Sequence, residues 1–129
     1  MDNITHAATE RSPEVAFDFA NSHLRLKGES YPEDVAAFYG PLLTALDRWL
    51  AGRSGSALTL DIELVYFNSS SAKALMNLFL MLDKAGAAGN SVSINWRFSE
   101  DDDIMEEFGE DFAEDLQHVR FTLCPLPAS

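Results

Sequence analysis

Between Ala57 and Phe67 the chain sets Leu58, Leu60, Ile62 and Leu64 on alternate positions, then runs through Val65, Tyr66 and Phe67 without a break in apolar character. A period of two that ends in a continuous apolar run predicts a central strand whose second half is covered on both faces. Ser69, Ser70 and Ser71 follow. From Ala72 to Ala88 the apolar spacing becomes helical, with Gly86 or Gly89 as the stop. A central strand that hands over directly to a helix commits the chain to an α/β arrangement.

The flanking segments extend this reading. Val15, Phe17 and Phe19 alternate with Ala16, Asp18 and Ala20, and the pattern resumes at Leu24 and Leu26, which predicts a β-hairpin with one buried face. Pro32, Glu33 and Asp34 suit the first turn of a helix whose buried face runs through Val35, Phe38, Tyr39, Leu42, Leu43, Leu46, Trp49 and Leu50. Gly40-Pro41 inside that pattern predicts a kink or two abutting helices, because proline removes a backbone hydrogen bond. Val92, Ile94, Trp96 and Phe98 alternate as a further strand. Ile104, Phe108, Phe112 and Leu116, spaced by four, form the expected buried stripe of a third helix. Val119, Phe121 and Leu123 make a last strand before Pro125 and Pro127. The expected fold is a single α/β domain over residues 13–125, preceded by a flexible tail over 1–12. Its five-stranded mixed sheet has an N-terminal hairpin, then a mostly parallel βαβαβ half, with about three helices.

Composition narrows the function. With 129 residues and 47% apolar content the chain suffices for one core. No long uncharged apolar run occurs and Met1–Arg11 is polar, so the expected location is the cytoplasm. Cys124 is the single cysteine and reads as a small apolar residue in a strand. A net charge of −12 repels nucleic acid and anionic membrane over about 8 Å, the Debye length at physiological salt. Much of the excess lies in Glu100–Asp115 and reads as a solvated helix face. That stretch lacks the Asp-x-Asp-x-Asp-Gly loop of calcium sites, and no glycine-rich phosphate loop is present, so neither a metal nor a cofactor is expected.

The serines lie where a strand ends and a helix begins, the place where open α/β sheets bind ligands. A helix cap is the plain structural reading. Against it, the first turn offers no acidic residue for a capping box and instead carries Lys73, a cation at the positive end of the dipole. That choice becomes reasonable if a phosphate is present on a serine part of the time, with Asn68, Ser70, Ser71 and Lys73 around it. Ser70-x-x-Lys73 also has the spacing of a lysine-activated serine nucleophile, so a small serine hydrolase is the competing class. No companion Ser-Asp-Asn or Lys-Thr-Gly triplet supports it, and His6, His23 and His118 belong to no constellation. In the helix after the serines, Ala72, Leu75, Phe79 and Leu82 supply one apolar face, while Ala74, Leu78, Met81 and Ala85 supply another. The second face is either buried on another element or an exposed stripe on which a partner docks through Leu78, Met81 and Ala74.

Three segments carry a family likeness: Gly28-Glu29-Ser30-Tyr31-Pro32-Glu33, Phe38-Tyr39-Gly40-Pro41 and Tyr66-Phe67-Asn68-Ser69-Ser70-Ser71-Ala72-Lys73-Ala74. From about Ser12 to Cys124 the chain resembles the SiaC family of bacterial regulatory phosphoproteins involved in biofilm control. More distantly, the serines are similar to the Asp-Ser-Ser-Gly site of STAS-domain anti-sigma-factor antagonists, which implies a STAS-like fold. The resemblance implies a non-catalytic partner-switching protein, phosphorylated by a Ser/Thr kinase, dephosphorylated by a PP2C-type phosphatase, and binding and activating a diguanylate cyclase when unphosphorylated. An anti-sigma-factor antagonist is the alternative within this class. Both likenesses place the phosphate at Ser69. The family pattern there is commonly Asn-Thr-Ser-Ser, so three serines in a row leave Ser70 as a possible acceptor.

Overall fold

The computed structural model describes residues 1–128. It contains six strands and three helices: β1 (Ile4–His6), β2 (Glu14–Asp18), β3 (His23–Ser30), α1 (Val35–Leu50), β4 (Ala57–Phe67), α2 (Ser69–Ala87), β5 (Ser91–Ser99), α3 (Asp103–Glu114) and β6 (Arg120–Leu126), with one 3₁₀ turn at Phe19–Asn21. The sheet order follows the sequence, β1-β2-β3-β4-β5-β6. β1, β2 and β3 pair antiparallel, and β3 through β6 pair parallel. The hairpin and the parallel pairing are as the alternation predicts, but the second half of β4 is not covered on both faces: Val65 is 62% and Tyr66 51% exposed, because all helices lie on the opposite face. The sheet has six strands and not five, because Ile4–His6, expected in a loose tail, pairs with Val15–Phe17 as an edge strand.

The three parallel crossovers all advance in the same direction along the sheet. Right-handed connections therefore set all three helices on one face. Leu24, Leu26, Leu58, Leu60, Ile62, Leu64, Val92, Ile94, Trp96 and Phe98 point to that face and form the floor of the core. The other face has no helix and is polar. In register across it stand Glu14, Lys27, Glu63 and Arg97, an alternation of charge that lets neighbouring strands satisfy one another. At its centre Asp61 accepts from His23 Nε2 (2.6 Å), Asn95 Nδ2 (2.9 Å) and Arg97 Nη2 (2.9 Å). Burial pushes this carboxyl up, but the three hydrogen bonds and the Arg97 charge outweigh it, leaving its pKa below the ordinary value.

One helix start, one proline site and one stripe differ from the sequence expectation. Pro32 lies outside α1. Asp34 is the N-cap, its side chain accepting from the Ala37 amide at 3.0 Å. Pro41 sits within a single continuous helix on its exposed side. The carbonyl of Ala37, left without a proline N–H, lies on a solvent-facing residue and can be hydrated. In α3 the buried residues are Met105, Gly109 and Phe112, so the stripe is rotated from the expected one. Ile104 is 66% and Phe108 39% exposed. Gly109 is what permits this rotation: a Cβ there would lie 2.6 Å from Trp96 Cδ1 and 2.7 Å from Leu123 Cδ2, so only glycine brings α3 down onto the sheet. Trp96 Nε1 then donates to the Met105 carbonyl at 2.9 Å.

Candidate functional site at the start of the central helix

β4 ends at Phe67 and α2 begins two residues later, at the carboxyl end of the parallel strands. The N-cap is Asn68 and not a serine. Its side-chain oxygen accepts from the Ser71 amide at 2.9 Å, and its own amide donates to the Ser30 carbonyl at 3.1 Å. With the cap supplied by asparagine, Ser69 and Ser70 are first-turn helical residues with exposed side chains. Lys73 is exposed one turn on, and no acidic residue lies in that turn.

Ser71 points the other way. It is fully buried, as is Ser30 at the end of β3, and the two hydroxyls lie 3.0 Å apart with Ser30 donating. The single Ser30 proton is then committed, so the Tyr39 hydroxyl, 2.5 Å away on α1, donates to Ser30. Tyr39 is 2% exposed, and burial raises its pKa to about 12, only partly offset by the Ser30 contact. A chain of three hydroxyls thus joins α1, β3 and α2 directly behind the exposed serines. Ser30 reaches this position through a bulge at Gly28/Glu29, where Gly28 adopts φ +128°, a conformation that side-chain-bearing residues rarely take. Ser30 and Tyr39 were not singled out as site residues in the sequence, although each lies in a segment of the family likeness. The signal for them, two hydroxyls inside apolar patterns, is too common to be specific.

The proposed docking stripe on α2 needs correction. Leu78 is 1% exposed and Ala74 is buried, because α2 is the middle helix of the layer and packs on α1 as well as on the sheet. Phe79 meets Phe112 of α3 on its other flank, ring centroids 5.1 Å apart. Met81 is half-buried in an open cleft of about 560 Å³ with Leu50, Arg53 and Lys84. It is twelve residues beyond Ser69, about 18 Å along the axis at 1.5 Å per residue, and so not beside the serines. Of the exposed large apolar side chains, Leu80 (45%) is on α2 but outside the proposed stripe and Met1 is at the N-terminus; the other four lie elsewhere. Val65 (62%) and Tyr66 (51%) end β4, and Ile104 and Phe108 occupy the first turns of α3. Phe108 packs on Phe67 at 4.8 Å between centroids, and Tyr66 on Tyr31 at 5.6 Å. Val65, Tyr66, Ile104 and Phe108 belong to the end of the sheet where Ser69 stands.

No nucleophile arrangement accompanies Ser70. Among the described residues neither Ser70 nor Lys73 has a side-chain hydrogen bond, and no group of three or more His, Cys, Asp or Glu side chains could hold a metal ion. Among the described residues no helix is long and apolar enough to cross a membrane.

Residues 6–126 match the family described as SiaC family regulatory phosphoprotein. The chain belongs to this family. The family is one of regulatory phosphoproteins. An uncharacterised protein of Pseudomonas aeruginosa strain UCBPP-PA14 is 31% identical over 115 residues, which is 89% of this chain and 90% of that protein. The fold is that of apo-SiaC from P. aeruginosa, with TM-score 0.85, 31% identity and coverage of 96% of this chain and 99% of the other. A second crystal structure holds the P. aeruginosa diguanylate cyclase SiaD in complex with its activator SiaC. There the similarity is TM-score 0.85 at 29% identity, over 97% of this chain and 99% of that one.

Proposed function

We propose that the protein is a phosphorylation-controlled switch in the cytoplasm whose unphosphorylated form binds and activates a diguanylate cyclase, with Ser69 as the phosphoacceptor. The observation that carries this is the near full-length likeness to a cyclase activator found in complex with its cyclase. A Ser/Thr kinase adds the phosphate and a PP2C-type phosphatase removes it. The exposure of Ser69 at a helix start, with Lys73 one turn on, supports the reading, since the dipole and a nearby cation both favour an anion there. The cyclase covers the end of the sheet, meeting Val65, Tyr66, Ile104 and Phe108, and not the α2 face formed by Leu78 and Ala74.

Phosphate on Ser69 carries about −1.5 to −2 charges and would have to lose water under a partner seated on those apolar side chains. Binding then falls a hundredfold or more, the equivalent of about 3 kcal/mol. The test is peptide mapping of the phosphate in the native host, together with cyclase activity in the presence of Ser69→Ala and Ser69→Asp forms. Activation by the alanine form and loss with the aspartate form is the expected result. Equal activation by both, with no phosphate ever found, refutes the switch.

A further inference from the structure

The three sequence segments that carry the family likeness are far apart in the chain, and the fold joins them at one point. Ser30 comes from the first, Tyr39 from the second and Ser71 from the third, linked by hydrogen bonds of 2.5 and 3.0 Å. Among the described residues the buried polar side chains are Ser30, Ser71 and Asn90. Asn90 lies at the far end of α2, where it donates to the Arg53 and Ala85 carbonyls and accepts from the Ser56 amide. An apolar core that elsewhere admits only Asn90 has taken in three linked hydroxyls immediately behind the exposed serines.

We propose that the Ser30–Tyr39–Ser71 hydroxyl chain is the positioning group of the phosphorylation site, fixing the first turn of α2 so that Ser69 and Ser70 are presented outward and Ser71 is withheld from a kinase. The inference rests on the phosphorylation reading above. The first turn of a helix is ordinarily the part that frays, since its N–H groups have no intrahelical partners. Here two connections hold it. Asn68 accepts from the Ser71 amide from outside, and Ser30, itself held by Tyr39, donates to the Ser71 hydroxyl from inside. A phosphate on Ser69 competes with the Asn68 carboxamide for that same amide. With Ser71 pinned from within, the turn keeps its place whether or not the phosphate wins, and the modification is read as a change of surface charge.

Tyr39→Phe removes the donor at the head of the chain and little else. Ser71→Ala removes its last acceptor and serves if the first variant folds poorly. Two measurements are made on the full chain: amide hydrogen exchange residue by residue, and the position of phosphate by peptide mass spectrometry after expression in the native host. Exchange at Ser70–Ala72 rises tenfold or more in Tyr39→Phe while the amides of β4 and β5 keep their rates, and phosphate appears on Ser71 where the wild-type chain carries none. In Ser71→Ala the same amides loosen. Wild-type chain modified on Ser71, or first-turn exchange unchanged in both variants, overturns the proposal. So does a rise in exchange spread evenly over the strands, which would make the hydroxyls ordinary core. A chain that shows the loosened turn but carries no phosphate in any form sinks the phosphorylation reading, and with it the role of the clamp in presenting a site.

Discussion

α2 and α3 lie on the same face of the same sheet, and each has more apolar positions than one face requires. In α2 both apolar faces are buried, because α1 and α3 flank it. In α3, at the edge of the layer beside β6, only Met105, Gly109 and Phe112 are buried, and Ile104 and Phe108 are left in water. The same pattern of spare apolar residues therefore means core in one helix and surface in the other. What decides is the helix's place in the layer, which depends on segments far away in sequence. Most of the apolar surface available to a partner accordingly falls at the edge and end of the sheet, beside the serines, and along α2 the one large apolar side chain exposed is Leu80.

The strongest test of that contrast is a matched pair of charge insertions. Leu78→Glu places a carboxylate where the side chain is 1% exposed, within the apolar core. A loss of about 4 kcal/mol or more is expected, enough to unfold many domains of this size. Ile104→Glu, on a side chain 66% exposed and one residue into a helix start that favours acids, should change stability by less than about 0.5 kcal/mol. Denaturant titration of both variants reads the difference. Similar losses in the two would mean that α2 and α3 are equally covered.

Gly109→Ala asks why α3 presents the side it does. The added methyl meets Trp96 and Leu123 at under 3 Å, so the helix must lift or the indole must turn. A cost of about 1–3 kcal/mol is expected, as for other overpacked cores, with the Trp96–Met105 hydrogen bond weakened. Trp96 fluorescence and thermal melting report it together. An unchanged melting temperature would show that α3 rides loosely on the sheet.

Asp61 lies on the opposite face, beneath neither helix, and supplies a control. Replacing it with Asn removes an acceptor shared by His23, Asn95 and Arg97 and costs about 1–2 kcal/mol at neutral pH. Because its folded pKa lies below the unfolded value, its contribution is fully present above the ordinary carboxylate range and is lost as pH falls through the folded value. The wild-type chain should lose stability on acidification more steeply than Asp61→Asn. Parallel acid curves for the two would show that the three hydrogen bonds do not favour the ionised carboxyl.

How far the sequence could be read follows from the same contrast. Strands were legible where one face is buried, since a period of two is local; β2 to β5 are of this kind, and in β6 Phe121 and Leu123 are partly buried on alternate positions. β1 was not, because three mostly polar residues on an edge strand leave no periodic signal. The pattern of α2 contained both of its faces but could not say what covered the second, and that of α3 gave an apolar stripe rotated from the true one, because Gly109 contributes to the contact without contributing hydrophobicity. At the site, the serines announced themselves by position, and Asn68 took the cap that a serine was expected to hold. The hydroxyls of Ser30 and Tyr39 gained meaning only once the fold had brought them to Ser71.

The smallest effect on the fold is expected at the residue with the largest proposed role. Ser69→Asp puts a carboxylate on an exposed side chain in the first turn of α2, where the dipole and Lys73 favour it, so stability should rise or fall by no more than about 0.5 kcal/mol. Because Asn68 keeps the cap and Ser71 stays anchored to Ser30, the helix start has no reason to move. Any loss of partner binding must then come from charge at the surface, and Ile104→Glu, which places a charge on the neighbouring α3 rim, should weaken the same interaction without a phosphate. If Ser69→Asp binds a cyclase as well as Ser69→Ala does while Ile104→Glu binds poorly, the apolar end of the sheet is the docking surface but Ser69 is not its switch. If both charged variants bind undiminished and melt as the wild type does, the partner meets some other part of the molecule, and the contrast between a buried central helix and an open edge helix concerns folding alone.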